Sequence, residues 1–118
     1  MDDIAVESVL GGAKAFVAGI VNAFPRETVA MFDLALAGRY DEAMAINRWL
    51  APLVRYDNDP RFVHYMKFFT MKAGLGSEKV RLPRLPLSGE DRKRAEAVVD
   101  QCLKTRPSVP KLNARAAE

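Results

Sequence analysis

A lysine beside a hydrophobic run is the first group in this chain that could do chemistry. Lys14 directly precedes Ala15-Phe16-Val17-Ala18-Gly19-Ile20-Val21. An ammonium pressed into a desolvated pocket gives up its proton readily and becomes a nucleophile toward carbonyl carbon. The other reactive residue types are sparse. His64 is the single histidine, and no acidic or cysteine partner stands near it at metal-ligand spacing, so it is expected on a helix face. Cys102 is the single cysteine. It excludes an intramolecular disulfide, fits a reducing compartment, and has no neighbour that would activate its thiol. Asp57 and Asp59 have the spacing of calcium ligands, but the central glycine and closing glutamate of a twelve-residue calcium loop are missing, so a turn is expected there. Lys67 and Lys72 are expected to lie on the polar edge of an apolar helix, with stems reaching solvent. No phosphate loop and no dinucleotide-binding fingerprint occurs. No metal site and no cofactor site is expected.

The elements that would position these groups are mostly helical. Residues 2–12 form a short helix with Ile4, Ala5, Val9 and Leu10 on one side, ended by Gly11-Gly12. The run from Lys14 to Val21 has strand length and does not alternate, the pattern of a strand covered on both faces. Pro25 opens a helix with Glu27 in its first turn and Met31, Phe32, Leu34, Ala35 and Leu36 on its apolar face, up to Gly38. A second helix over 40–54 carries Ala43, Ile46, Leu50 and Leu53 at helical spacing. Asp59 caps a further helix opened by Pro60 and running to about residue 73. Two prolines make 81–87 an extended connection. Ser88 and Asp91 outline a capping box for the last helix, with Ala95, Val98, Val99 and Leu103 as its buried stripe.

The chain has 118 residues, of which 49% are hydrophobic and 28% charged, enough apolar content for one folded domain. The net charge of +3 is concentrated after Lys104. With no aromatic residue interleaved, that tail is expected to be solvated and disordered over 107–118 and not to bind nucleic acid. The acidic start and the shortness of the longest apolar run point to a soluble cytoplasmic protein without a membrane span.

One physical conflict stands out. A lone strand covered on both faces has no partner for its backbone N–H and C=O groups, and no second segment has the pattern of a strand. The conflict resolves if the segment pairs with another chain, if it is helical after all, or if the rest of its sheet lies outside this sequence.

Gly12-Ala-Lys-Ala-Phe-Val-Ala-Gly-Ile-Val-Asn22, followed by Ala-Phe-Pro25, resembles the last barrel strand and turn of the dihydrodipicolinate synthase / N-acetylneuraminate lyase family, whose pattern is Gly-Ala-x-Gly-Val-Ile-Ser and then Asn-x-x-Pro. Ala37-Gly-Arg-Tyr-Asp-Glu-Ala43 is similar to the family's helix–turn–helix beyond the barrel. Arg81-Leu-Pro83 with Leu85-Pro-Leu87 is similar to its Arg-x-Pro…Pro-Leu segment. Two positions depart: the family glycine falls on Ala15 and the family serine on Ala18, which removes any hydrogen bond from that hydroxyl. The resemblance covers about residues 2–106. It implies the last strand (about 14–21) and helix of a (β/α)8 barrel over 1–37, and a C-terminal helical region over 38–106.

The resemblance further implies a Schiff-base lyase acting on pyruvate or a related 2-keto acid, without a cofactor. The complete enzyme would be a homo-oligomer or would need the barrel portion missing here. The family's catalytic lysine, its proton-relaying tyrosine and its hydroxyl pair are expected upstream of residue 1, so no catalytic residue maps onto this chain and activity alone is not expected. Lys14 would stand at the start of the strand, the face of a barrel that serves stability. The backbone carbonyl of Val17 would lie near the bound keto acid; the plainer alternative is that Val17 is only core. Synthesis of hydroxy-tetrahydrodipicolinate and deamination of a hydroxy-pyrroline carboxylate both fit. A different class also fits: a stand-alone helical interaction or oligomerisation module, using the apolar faces 32–36 and 62–71 as partner surfaces. The turn at Tyr40 resembles half of a tetratricopeptide unit, but it occurs once, and solenoids need about three repeats.

Overall fold

The structure, a computed structural model, describes residues 2–110. Five α-helices carry the fold: α1 (Ala5–Leu10), α2 (Pro25–Leu36), α3 (Tyr40–Val54), α4 (Phe62–Lys72) and α5 (Gly89–Lys104), with 3-10 turns at Asp2–Ile4, Ile20–Asn22 and Arg55–Asn58.

The helix signals in the sequence translate closely. Pro25 sits at the start of α2, where its missing N–H costs nothing. Gly38, at φ 76°, takes the left-handed turn that separates α2 from α3. Ala43, Ile46, Leu50 and Leu53 are all buried, so α3 turns the expected face inward. Pro52 falls in its last turn with the ring exposed, and the helix still runs on to Val54. α2 and α3 pack most extensively against each other. α1, α4 and α5 close one continuous core in which Phe24, Phe68 and Phe69 are fully buried. Phe24 meets Trp49 edge-on at 5.2 Å between ring centroids, a geometry aromatic rings prefer.

The first helix is shorter and turns differently than its pattern indicates. It spans six residues and buries Ala5 and Val6, whereas Ile4 and Leu10 are exposed. Asp2, just before it, is buried and accepts the backbone N–H of Ile20 at 3.0 Å. That bond ties the start of the described chain to the turn that precedes α2.

The strand expected over 14–21 is not formed. Residues 13–18 lie outside any helix or strand, and Ile20–Asn22 closes into a 3-10 turn. Among the described residues no segment offers a ladder to pair with, and a strand exists only when paired.

Three smaller corrections concern caps and charges. α4 begins at Phe62 and not at Pro60, and Asp59 does not cap it: Arg61 takes the N-cap position without a side-chain cap bond, and Asp59 accepts the Arg61 N–H at 2.8 Å in the turn before the helix. The Ser88 hydroxyl makes no cap bond. Its expected partner Asp91 instead pairs with Arg61 at 2.6 Å and with Arg94. Lys72 is no free stem: its ammonium sits 3.0 Å from Glu96 and 2.8 Å from Asp100, joining α4 to α5.

Beyond α5 two residues tie the otherwise largely exposed chain back to the fold. Arg106 pairs with buried Glu27, and Val109 packs on the apolar cluster. The remainder of the expected disordered tail, with Lys111 and Arg115, lies outside the described residues.

Candidate functional site

The candidate site centres on residues 13–22, the stretch between α1 and α2. Gly12, at φ 98°, ends α1, and Ala13 returns its N–H to Ser8 at 2.9 Å. From Lys14 to Ala18 no backbone group makes a backbone hydrogen bond among the described residues. Phe16 leans on Phe32 of α2 at 4.7 Å between centroids. Val17 points the other way and is 97% exposed. Its side chain is therefore not part of this chain's own core, the plainer alternative left open above. An apolar groove of about 430 Å³ runs between this stretch and α2, lined by Phe16, Val17, Val29 and Phe32 with Lys14 at its rim. Lys14 is solvent-exposed and not enclosed in any pocket that would suit imine chemistry.

The stretch ends at Gly19, where the chain passes close to two other elements. A Cβ on Gly19 would stand 3.4 Å from the Phe62 ring, 3.5 Å from Asp57 Oδ1 and 3.7 Å from Met66 Cγ, in ordinary contact with α4 and the Arg55–Asn58 turn. On this side lies a second cavity of about 340 Å³ between the Ile20–Asn22 turn and α4. Its wall includes Asn22, Phe62, Met66, Lys67 and Ser77.

Two carboxyls lie beneath the turn. Asp57 Oδ1 is buried and finds no hydrogen-bond partner among the described residues. Burial first, and the neighbouring Asp2 carboxylate second, push the Asp57 carboxyl up to about 6. Sequence spacing had singled out Asp57 only as a possible metal ligand. Among the described residues no group of three or more His, Cys, Asp or Glu side chains could hold a metal. What sequence alone could not reveal is the fold-back that brings Asp2 beside Asp57.

The remaining reactive residues have structural surroundings. Cys102 is buried, its thiol facing the Trp49 carbonyl at 3.8 Å, and burial pushes the thiol's pKa up, the opposite of activation. His64 lies on α4 with Nδ1 3.2 Å from the Arg61 carbonyl.

Among the described residues these features define a helical segment that carries one extended stretch without backbone partners beside an open apolar groove. The chain belongs to the dihydrodipicolinate synthetase family, whose model matches residues 1–102. It is 32% identical over 104 residues to the 4-hydroxy-tetrahydrodipicolinate synthase of Alcanivorax borkumensis, a match covering 86% of this chain and 34% of that protein. The same identity and coverage hold for the synthase of Kosmotoga olearia. The synthase of Marinobacter nauticus is 33% identical over 90 residues, covering 74% of this chain and 30% of its own length. The chain thus spans about a third of the length of these curated relatives. No solved structure matches it significantly.

Proposed function

We propose that this chain supplies the last strand, last helix and C-terminal helical region of a (β/α)8 Schiff-base lyase acting on pyruvate or a related 2-keto acid. One observation carries the reading. Residues 14–18 leave their backbone groups without backbone partners and present Val17 at 97% exposure, as a barrel strand does when its neighbours are taken away. Backbone groups so exposed satisfy themselves by adding to a sheet edge. The groove beside them, lined by Val29 and Phe32, is the seat for the neighbouring barrel strands and helix.

In that assembly the Val17 carbonyl lies near the keto acid, because barrel sites stand at the C-terminal ends of the strands. The imine lysine comes from the barrel portion. This chain alone does not catalyse, since imine chemistry needs a closed, water-excluding pocket and Lys14 is exposed. Synthesis of 4-hydroxy-tetrahydrodipicolinate is the reaction that the matched relatives' names favour. Against the competing reading as a helical interaction module, Phe32, Leu34, Ala35, Tyr65, Met66, Phe68 and Phe69 are buried in the chain's own core, and of the large hydrophobics in those two stretches Phe62 is the one that stays exposed, at 39%. No helix among the described residues is long and apolar enough to cross a membrane.

The test is a chimera in which residues 1–102 replace the matched stretch of the Alcanivorax borkumensis synthase. The expected result is a soluble enzyme with measurable synthase activity, as for the same graft from Kosmotoga olearia. An insoluble or inactive chimera beside a working Kosmotoga graft would overturn the reading.

A further inference from the structure

The cavity between the Ile20–Asn22 turn and α4 has a composition that the proposed strand and groove do not explain. Its floor is apolar, from Phe62 and Met66, and its polar side chains are Lys67, Asn22, Ser77 and Thr70, the last already donating its hydroxyl hydrogen to the Met66 carbonyl at 2.7 Å. Among the described residues Lys67 is the only ammonium on its wall and makes no ion pair. Lys72, five residues on along the same helix, is held by both Glu96 and Asp100. The Asn22 amide donates one hydrogen to the Gly19 carbonyl at 2.9 Å and keeps its second for a ligand. Ser77 Oγ already accepts the Lys79 N–H at 3.2 Å, which leaves its own hydrogen free to donate. One cation, an amide and a hydroxyl around an apolar floor suit a single carboxylate on a short carbon body. A polyphosphate would call for several cations.

We infer that this cavity binds the carboxylate of a small 2-keto acid, with Lys67 as the anion-binding group and Asn22 and Ser77 as the neighbouring donors. The choice of a keto acid rests on the lyase reading above; the carboxylate itself rests on the donor set. The cavity begins at Gly19, where the unpaired stretch 14–18 ends. In a barrel that is the end at which substrate enters and leaves. A carboxylate held there is an entry station for substrate before it reaches the imine lysine.

The experiment titrates the 15N-labelled 118-residue chain with pyruvate at constant ionic strength, following backbone amides, with methyl pyruvate as the uncharged control. Saturable shifts at Gly19, Asn22, Lys67 and Ser77, with a millimolar dissociation constant and none with the ester, are the expected result. Lys67→Gln lowers the affinity at least fivefold and Lys67→Arg retains most of it. Equal response to the ester, unsaturable shifts, or an unchanged affinity in Lys67→Gln would overturn the proposal. Should Lys67→Gln fail to fold, the acid-against-ester contrast in the unsubstituted chain decides alone. Binding together with a failed chimera would keep this site and remove the lyase reading. An active chimera with no binding would do the reverse.

Discussion

Glu27 and Arg106 form a two-pronged ion pair at 2.6 and 3.1 Å across 79 positions of sequence. The Glu27 side chain is 3% exposed and that of Arg106 37%, and the guanidinium also lies 5.6 Å over the Phe24 ring. The pair fastens the segment after α5 to the first turn of α2. Truncating only the cation leaves a buried carboxylate without its partner, the expensive way to break such a pair. Arg106→Ala is therefore expected to destabilise the chain by about 2 kcal/mol, the usual range being discounted for the exposed arginine. The double variant Glu27→Met/Arg106→Leu should recover most of that loss. Urea denaturation of the three proteins checks both statements.

The Asp57 carboxyl gives an inverted pH dependence. Its folded-state value of about 6 stands above the ordinary 3.8. Between those values the folded chain holds a proton that the unfolded chain has released, so stability contributed by Asp57 falls as pH rises through that window. Asp57→Asn should raise stability at pH 7 by about 1–2 kcal/mol and have little effect near pH 4. Thermal melts at the two pH values measure the difference. Asp59, Glu78 and Asp91 act in the opposite sense. A backbone N–H from Arg61, the Arg92 guanidinium and the Arg61 guanidinium, respectively, hold them below the ordinary carboxylate range. What they contribute is lost only as pH falls below about 4.

Cys102 serves as a reporter of global unfolding. It is buried in α5, and the Trp49 Nε1–H donates to its carbonyl at 3.1 Å. Thiol-labelling rates in rising urea should follow the unfolding transition, with no fast phase in the native chain. Trp49→Phe keeps an aromatic ring, though a smaller one, and leaves that carbonyl without its donor. It should cost about 1 kcal/mol and shift labelling to lower urea.

The unpaired stretch makes a prediction about exchange. Amides of residues 14–18 should exchange with solvent at near-unprotected rates in the isolated chain, while those of α3 are retained longest. In the chimera the same amides should become protected. Mass spectrometry of exchanged peptides reads both.

Much of this was legible in the sequence because helix signals are local. Pro25, Gly38 and the Ala43, Ile46, Leu50, Leu53 spacing place α2 and α3 without tertiary information. The family was legible from short motifs around Asn22, Tyr40 and Arg81, and the match over residues 1–102 bears that out. What escaped was set by long-range partners. Lys72 looked like a solvated stem because Glu96 and Asp100 lie far along the chain. Ser88 has the spacing of a capping box, but Arg61 and Arg94 take Asp91 away from it. The run at 14–21 has the composition of a strand and lacks one here because strand formation depends on a neighbour that composition cannot supply.

The central claim is that this chain completes a keto-acid barrel whose imine lysine lies elsewhere. Borohydride reduction in the presence of pyruvate, followed by intact mass and peptide mapping, tests it most directly when run on the 118-residue chain and the chimera side by side. No adduct is expected on the isolated chain and a single adduct in the chimera, on a lysine of the portion contributed by the relative. A stoichiometric adduct on the isolated chain, above all on Lys14, would contradict it.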